Sequence, residues 1–127
     1  MDISEYRFTE THEWVALKDG LAVVGISDHA QEEITDVVYV DLPAEGGTVK
    51  AGDELLMVDS VKASFSIYAP LGGVIEKVNQ ALSDDPGLVN SSPYQDGWMV
   101  AIRANNPAEM EELMTEEEYE AFLATGA

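Results

Sequence analysis

From its start to about residue 105 the chain is a succession of short strand-forming runs, each closed by turn residues within about ten positions. Residues 11–17 and 21–26 flank the turn Lys18-Asp19-Gly20 and read as a hairpin. Residues 37–40 form a further run, stopped by Leu42-Pro43. Residues 46–53, rich in glycine, wrap a corner. Residues 54–58 and 63–68 flank the short connection Asp59-Ser60-Val61-Lys62. Pro70 and Gly72-Gly73 turn the chain into a run at 74–78, and residues 98–102 are the last run. Asp84-Asp85-Pro86-Gly87 and Asn90-Ser91-Ser92-Pro93 read as turns. This spacing predicts a mainly β fold of sandwich or barrel type.

Two stretches depart from that pattern. Asp28 is placed to cap a short helix, with Gln31 at its third position and Ala30 and Ile34 on one face. Residues 106–123 read as helix. Asn106-Pro107 is a start signal, and Met110, Leu113 and Met114 share a face. Thr115 and Glu118 make a capping-box pair before Tyr119, Phe122 and Leu123. Glu116-Glu117-Glu118 falls in that first turn, where carboxylates complement the helix dipole, and reads as a solvated cap. At 127 residues with no low-complexity linker, the expectation is one domain over 1–127.

Charge narrows the function classes. With 25 acidic and 6 basic residues the formal net charge is −19, which repels nucleic acid and anionic membranes. No apolar run approaches the roughly 20 residues of a membrane span. Met1-Asp2-Ile3-Ser4-Glu5 has neither the signature of a signal peptide nor that of a transit peptide, so a cytoplasmic chain is expected. A processed organellar protein with a restored Met would read the same way. There is no Cys, so any sulfur chemistry must arrive with a cofactor.

Lys62 stands at or beside the hairpin turn and is the only basic residue between Lys50 and Lys77. By spacing alone it is an accessible surface charge and no more. His12 and His29, the only histidines, lack the partners of a zinc site, so no metal is expected. An acid/base pair of His12 and Glu13 is disfavoured, because neighbours on a strand face opposite sides. Trp14, Trp98 and Tyr94 read as core or groove walls. Gly72-Gly73 is not followed by the Lys-Ser/Thr of a phosphate loop.

The segment Val58-Asp59-Ser60-Val61-Lys62-Ala63 resembles the lipoylation segment of glycine cleavage H proteins. His12-Glu13-Trp14-Val15, Val24-Gly25-Ile26, Asp28-His29-Ala30-Gln31, Ile67-Tyr68-Ala69-Pro70, Leu88-Val89-Asn90, Pro93-Tyr94 and Gly97-Trp98 resemble further blocks of that family, in family order. The match runs from about Tyr6 to Leu123 and overturns the bland reading of Lys62.

The resemblance implies a barrel-sandwich hybrid, of the lipoyl- and biotinyl-carrier kind, made of two small antiparallel sheets with a helix near 28–34 and C-terminal helices. It implies lipoate joined by an amide to Lys62, with Asp59, Ser60, Val61 and Ala63 forming the attachment turn. It implies a carrier that is not itself an enzyme. Such a shuttle takes an aminomethyl group from glycine decarboxylase to aminomethyltransferase and its dithiol to dihydrolipoamide dehydrogenase. A lipoate ligase or lipoyltransferase would load it. Thr11, His12 and Glu13 lie in the block associated with docking the loaded arm, Glu13 as an amine contact or, equally, an exposed strand carboxylate.

Three positions depart from the family pattern: Asp59 for Glu, Ser66 for a frequent Asp, and Thr35 for a Gly before the next strand. Two other readings stay open, a relay that donates lipoate to 2-oxoacid dehydrogenase complexes and an unmodified acidic adaptor. A biotin carrier is disfavoured, because Val61 and Ala63 stand where such proteins resemble one another in carrying Met.

Overall fold

The computed structural model describes residues 6–125, so the reading of residues 1–5 as free of a leader lies outside the described residues. In chain order the elements are β1 (Arg7–Phe8), β2 (Glu13–Lys18), β3 (Leu21–Ile26), α1 (Asp28–Ile34), β4 (Val37–Asp41), β5 (Thr48–Val49), β6 (Glu54–Ser60), β7 (Ser64–Tyr68) and β8 (Gly73–Val78). Then follow α2 (Ala81–Asp84), α3 (Leu88–Ser91), β9 (Val100–Ala104), a 3-10 segment (Pro107–Glu112), β10 (Met114–Thr115) and α4 (Glu116–Ala124). The strands make two antiparallel sheets. One has seven strands in the order β10-β1-β2-β3-β9-β8-β5, the other three in the order β4-β6-β7. The expected mainly β fold of two antiparallel sheets is what is found.

The inward side chains of both sheets meet in one apolar cluster. Val15, Val24, Ile26, Val100 and Ile102 from the larger sheet pack with Val37, Val40, Leu56, Val58 and Ile67 from the smaller. A second, aromatic cluster joins Tyr6, Phe8, Trp14 and Tyr119 on the other side of β1 and β2. There the Phe8 and Tyr119 rings stack at 4.5 Å. Trp14 lies flat on Gly25 across the β2–β3 pair: a Cβ at Gly25 would sit 2.7 Å from the indole.

The β2–β3 hairpin forms as expected, and its turn residues explain why. Asp19 (φ 52) and Gly20 (φ 80) both take the left-handed conformation that a tight two-residue hairpin turn demands.

Some local expectations shift. The cap of α1 is Ser27, whose hydroxyl accepts from Ala30 N–H, and Asp28 is the first helical residue. Strand β2 begins at Glu13 and not at residue 11, because His12 turns left-handed (φ 73) and closes a turn onto the Thr9 carbonyl. Asn90 and Ser91 lie in α3 where a turn was expected.

The continuous helix expected over 106–123 is interrupted. Its first part is a 3-10 segment, Leu113 is extended, and Met114–Thr115 pair with β1 in register Phe8↔Met114. Two helical turns alone are marginal, and the edge of β1 offers unpaired backbone groups. The Arg7 guanidinium also donates to the Leu113 carbonyl at 3.1 Å. The second half forms as expected, with the reciprocal Thr115–Glu118 capping box in place.

Candidate functional site

Lys62 occupies the tip of the β6–β7 hairpin. Tight hairpin loops commonly use positive φ at one or both central residues, yet none of Val61, Lys62 and Ala63, which join β6 to β7, has it. The Ser60 side chain supplies the missing closure. Its hydroxyl accepts from Lys62 N–H at 3.0 Å and from Ala63 N–H at 3.2 Å, while Ser60 N–H donates to the Ala63 carbonyl at 2.8 Å. Below it, the Ser64 hydroxyl donates to the Asp59 carboxylate at 2.6 Å. Val61 N–H donates across to the Asp36 carbonyl at 3.0 Å, tying the tip to the start of β4. The backbone of the hairpin turn is therefore fixed on three sides while the Lys62 side chain is exposed.

Among the described residues Lys62 is in no ion pair; its Nζ lies 3.4 Å from the Glu33 carbonyl at the end of α1. Glu33 is also on the wall of a groove of about 370 Å³ that runs between α1 and β7. Thr11, His12, His29, Phe65 and Ser66 line the same groove. The groove thus has on its walls both Glu33, whose carbonyl the Lys62 Nζ reaches, and the Thr11–His12 turn.

The structure splits the three residues of that block. His12 lines this groove, Glu13 is buried, 1% exposed, and lines a separate cleft of about 660 Å³ with Tyr68, Pro70 and Leu113, and Thr11 between them lines both. An exposed strand carboxylate is thus ruled out. The Glu13 carboxylate takes hydroxyl bonds from Thr9 and Thr11, both at 2.5 Å, and Tyr68 N–H at 3.2 Å. Burial pushes its pKa above the ordinary carboxylate value, and those three donors hold part of that rise back.

His12 is held by a residue far along the chain. Its Nδ1 lies 2.7 Å from the Tyr119 hydroxyl, which also lies 2.7 Å from the Ser27 hydroxyl. Burial and the neighbouring His29 pull the His12 pKa below 6.5, against an upward pull from Glu33. The Tyr119 hydroxyl is pushed up to about 12, chiefly by burial. The His12 and His29 rings sit 4.8 Å apart, but no group of three His, Asp or Glu among the described residues is arranged to hold a metal ion.

Three features of the site gave no local signal in the sequence. Tyr119 is separated from His12 by 107 positions. The Glu54 carboxylate accepts from the Ser66 hydroxyl at 2.5 Å and so sets a negative charge at the position where the family often has its own carboxylate. Asn90 bonds Val37 N–H, the Thr35 carbonyl and the Gln31 side chain, clamping the α1–β4 connection beneath the hairpin tip. That Asp28-His29-Ala30-Gln31 and Leu88-Val89-Asn90 both stand among the resembling blocks was the one hint of the clamp.

A family model described as glycine cleavage H-protein matches residues 6–126. The chain is 47% identical over 120 residues to the glycine cleavage system H protein of Alcanivorax borkumensis, covering 94% of each. It is 50% identical over 121 residues to that of Salmonella arizonae, again covering 94% of each. It is 49% identical over 116 residues to the mitochondrial glycine cleavage system H protein of Mesembryanthemum crystallinum, covering 91% of this chain and 71% of the relative. The crystal structure of a glycine cleavage system H protein from Mycobacterium marinum is similar, with a TM-score of 0.86 and 35% identity over 95% of this chain and 98% of that one.

Proposed function

This chain belongs to the glycine cleavage H-protein family, and on that premise we propose that Lys62 carries the lipoyl arm with which it serves as the shuttle of the glycine cleavage system. The observation that carries the choice of Lys62 is its pairing of an exposed, ion-pair-free side chain with a backbone pinned by the Ser60 hydroxyl. A loading enzyme can approach an amine so placed, and the hydrogen-bonded turn gives the arm a held base.

The residues present suit such a group. When bound, the lipoyl group supplies a disulfide that can be reduced, loaded with a one-carbon amine and reoxidised. This Cys-free chain has no disulfide of its own. The groove beside Glu33 gives the arm an apolar floor in Phe65 and Ile67 and polar walls in Thr11, His12 and Ser66. Glu54 and Glu33 supply negative charge at its margins, which favours an ammonium group there. Glu13 acts at one remove: its carboxylate holds the hydroxyl of Thr11, a residue that lines both the groove and the larger cleft. In this reading it is a positioning residue for the arm.

The chain itself supplies no catalytic group in this reading. It presents the arm to glycine decarboxylase, aminomethyltransferase and dihydrolipoamide dehydrogenase in turn, and its contribution is a high effective concentration of the tethered group. Reconstituted exchange of carbon dioxide with the glycine carboxyl, using glycine decarboxylase and chain loaded by a lipoate ligase, tests it. Exchange should depend on loaded chain and vanish with Lys62→Arg. Loaded chain that supports no exchange contradicts the shuttle role and leaves the relay alternative.

A further inference from the structure

Among the described residues, five large apolar side chains are exposed, and three of them gather at the hairpin tip. Val61 is 68% exposed, Val38 53% and Tyr39 54%. Val61 adjoins Lys62 in the turn. Val38 and Tyr39 are brought there by a register shift in β4, which pairs Val37 with Ser60 and Tyr39 with Asp59 and leaves Val38 unpaired. This bulge breaks the in–out alternation, so two successive side chains point to solvent between the buried Val37 and Val40. The 3.0 Å bond from Val61 N–H to the Asp36 carbonyl joins tip and bulge into one surface.

The elements that carry that surface are acidic. Asp28, Glu32, Glu33, Asp36 and Asp41 are exposed on α1, β4 and their connection, which carry no Lys or Arg. Lys62 adjoins Val61 in the turn and brings a cation to the patch. Exposed apolar groups on elements that carry acidic residues, in a chain of net charge −19, mark a binding surface whose partner has an apolar centre and basic flanks.

We propose that Val38, Tyr39 and Val61 form the recognition surface by which the enzyme that acylates Lys62 selects it over the chain's other lysines. This rests on the reading of Lys62 as the loaded residue. Loading is the step that demands such selection, since Lys18, Lys50 and Lys77 offer the same amine chemistry. In that step the Lys62 Nζ, having lost a proton, attacks the acyl carbon of a lipoyl adenylate. The amide C–N bond forms, the acyl–phosphate C–O bond breaks, AMP leaves with the bonding pair, and the nitrogen gives up its second proton to solvent. No electrons are exchanged. The apolar patch holds the enzyme within reach of the amine, and the acidic residues of those elements draw its basic flanks into register.

The test is the rate of lipoyl transfer to unmodified chain from a purified lipoate ligase with lipoate and ATP, read by intact mass. The paired substitution Val38→Ser with Tyr39→Ser should lower kcat/KM for the chain about tenfold, mainly through KM. Val61→Ser, placed outside both sheets, should do so in part. Leu17→Ser, an exposed apolar residue on β2 in the other sheet, should leave the rate unchanged. Raising the salt concentration should slow loading of the native chain. Patch variants that melt like the native chain and load at its rate overturn the proposal, whatever they do to later steps. A Lys62→Arg chain that still gains the lipoyl mass overturns the reading of Lys62 instead.

Discussion

The Tyr119 hydroxyl on α4 lies 2.7 Å from both His12 Nδ1 and the Ser27 hydroxyl, so the last helix of the described chain fastens the turn that enters β2 to the cap of α1. Tyr119→Phe keeps the ring stacked on Phe8 and removes only this fastening. It should cost about 1–3 kcal/mol, because the Ser27 hydroxyl is left buried without that partner. Urea unfolding measures the cost. A loss below about 0.5 kcal/mol would mean that the hydroxyl contributes nothing beyond its ring.

Thr35 stands where the family has glycine, and its backbone explains the preference. Its φ of 66° and ψ of −154° lie in a region that is nearly glycine's alone. The strain is of order 1–3 kcal/mol, and glycine's extra flexibility in the unfolded chain offsets about 0.5–1 kcal/mol of any relief. Thr35→Gly should therefore stabilise the protein by about 1 kcal/mol. A lower melting temperature in the variant would show that the Thr35 hydroxyl bond to the Ile34 carbonyl outweighs the strain.

Glu13 and His12 give the stability a pH dependence from two sides. Glu13 titrates higher in the folded chain than in the unfolded one, so between those two values the folded state holds the extra proton. Stability then falls as pH rises out of the ordinary carboxylate range toward the raised value, and Glu13→Gln should flatten that slope. His12 is the reverse case. Its folded pKa is below 6.5, so stability should fall as pH drops through 6.5 toward the lowered value, and His12→Gln should remove that fall. Melting temperatures across pH 4–8 check both, and variant slopes that match the native chain would refute them.

How much of this could be read beforehand follows from the range of each interaction. The β2–β3 hairpin was legible because Asp19-Gly20 is a local signal for its turn. The capping box of α4 was legible because Thr115 and Glu118 lie three residues apart. The interruption at Leu113 was not, since the β1 edge that draws Met114 into a strand lies more than 100 positions away. The Tyr119–His12 contact and the Asn90 clamp likewise span 107 and 53 positions, whereas Glu54 beside Ser66 spans only 12 but depends on the register shift in β6 between Glu54 and Leu56. The burial of Glu13 was hidden for a different reason: an acidic residue at a strand start reads as exposed, and only the Thr9, Thr11 and Tyr68 donors make its burial tolerable. The functional reading came from the ordered motif blocks and owed little to periodicity.

Ser60 is small, yet it determines the shape of the tip. Ser60→Ala removes the acceptor shared by the Lys62 and Ala63 N–H groups, which should cost about 1 kcal/mol and loosen the turn. Loading of Lys62 should slow in the variant, while exposure of the lysine itself is unchanged. Faster amide hydrogen exchange at residues 61–63 is the direct readout, and exchange at the native rate would show that backbone pairing alone holds the hairpin.

The central claim is that Lys62 carries the arm, and peptide mapping by mass spectrometry of chain loaded by a lipoate ligase tests it most directly. The account predicts one lipoyl increment per chain, carried by the peptide that contains Lys62. An increment on the peptides of Lys18, Lys50 or Lys77, or none at all under conditions that load a known carrier, would contradict it.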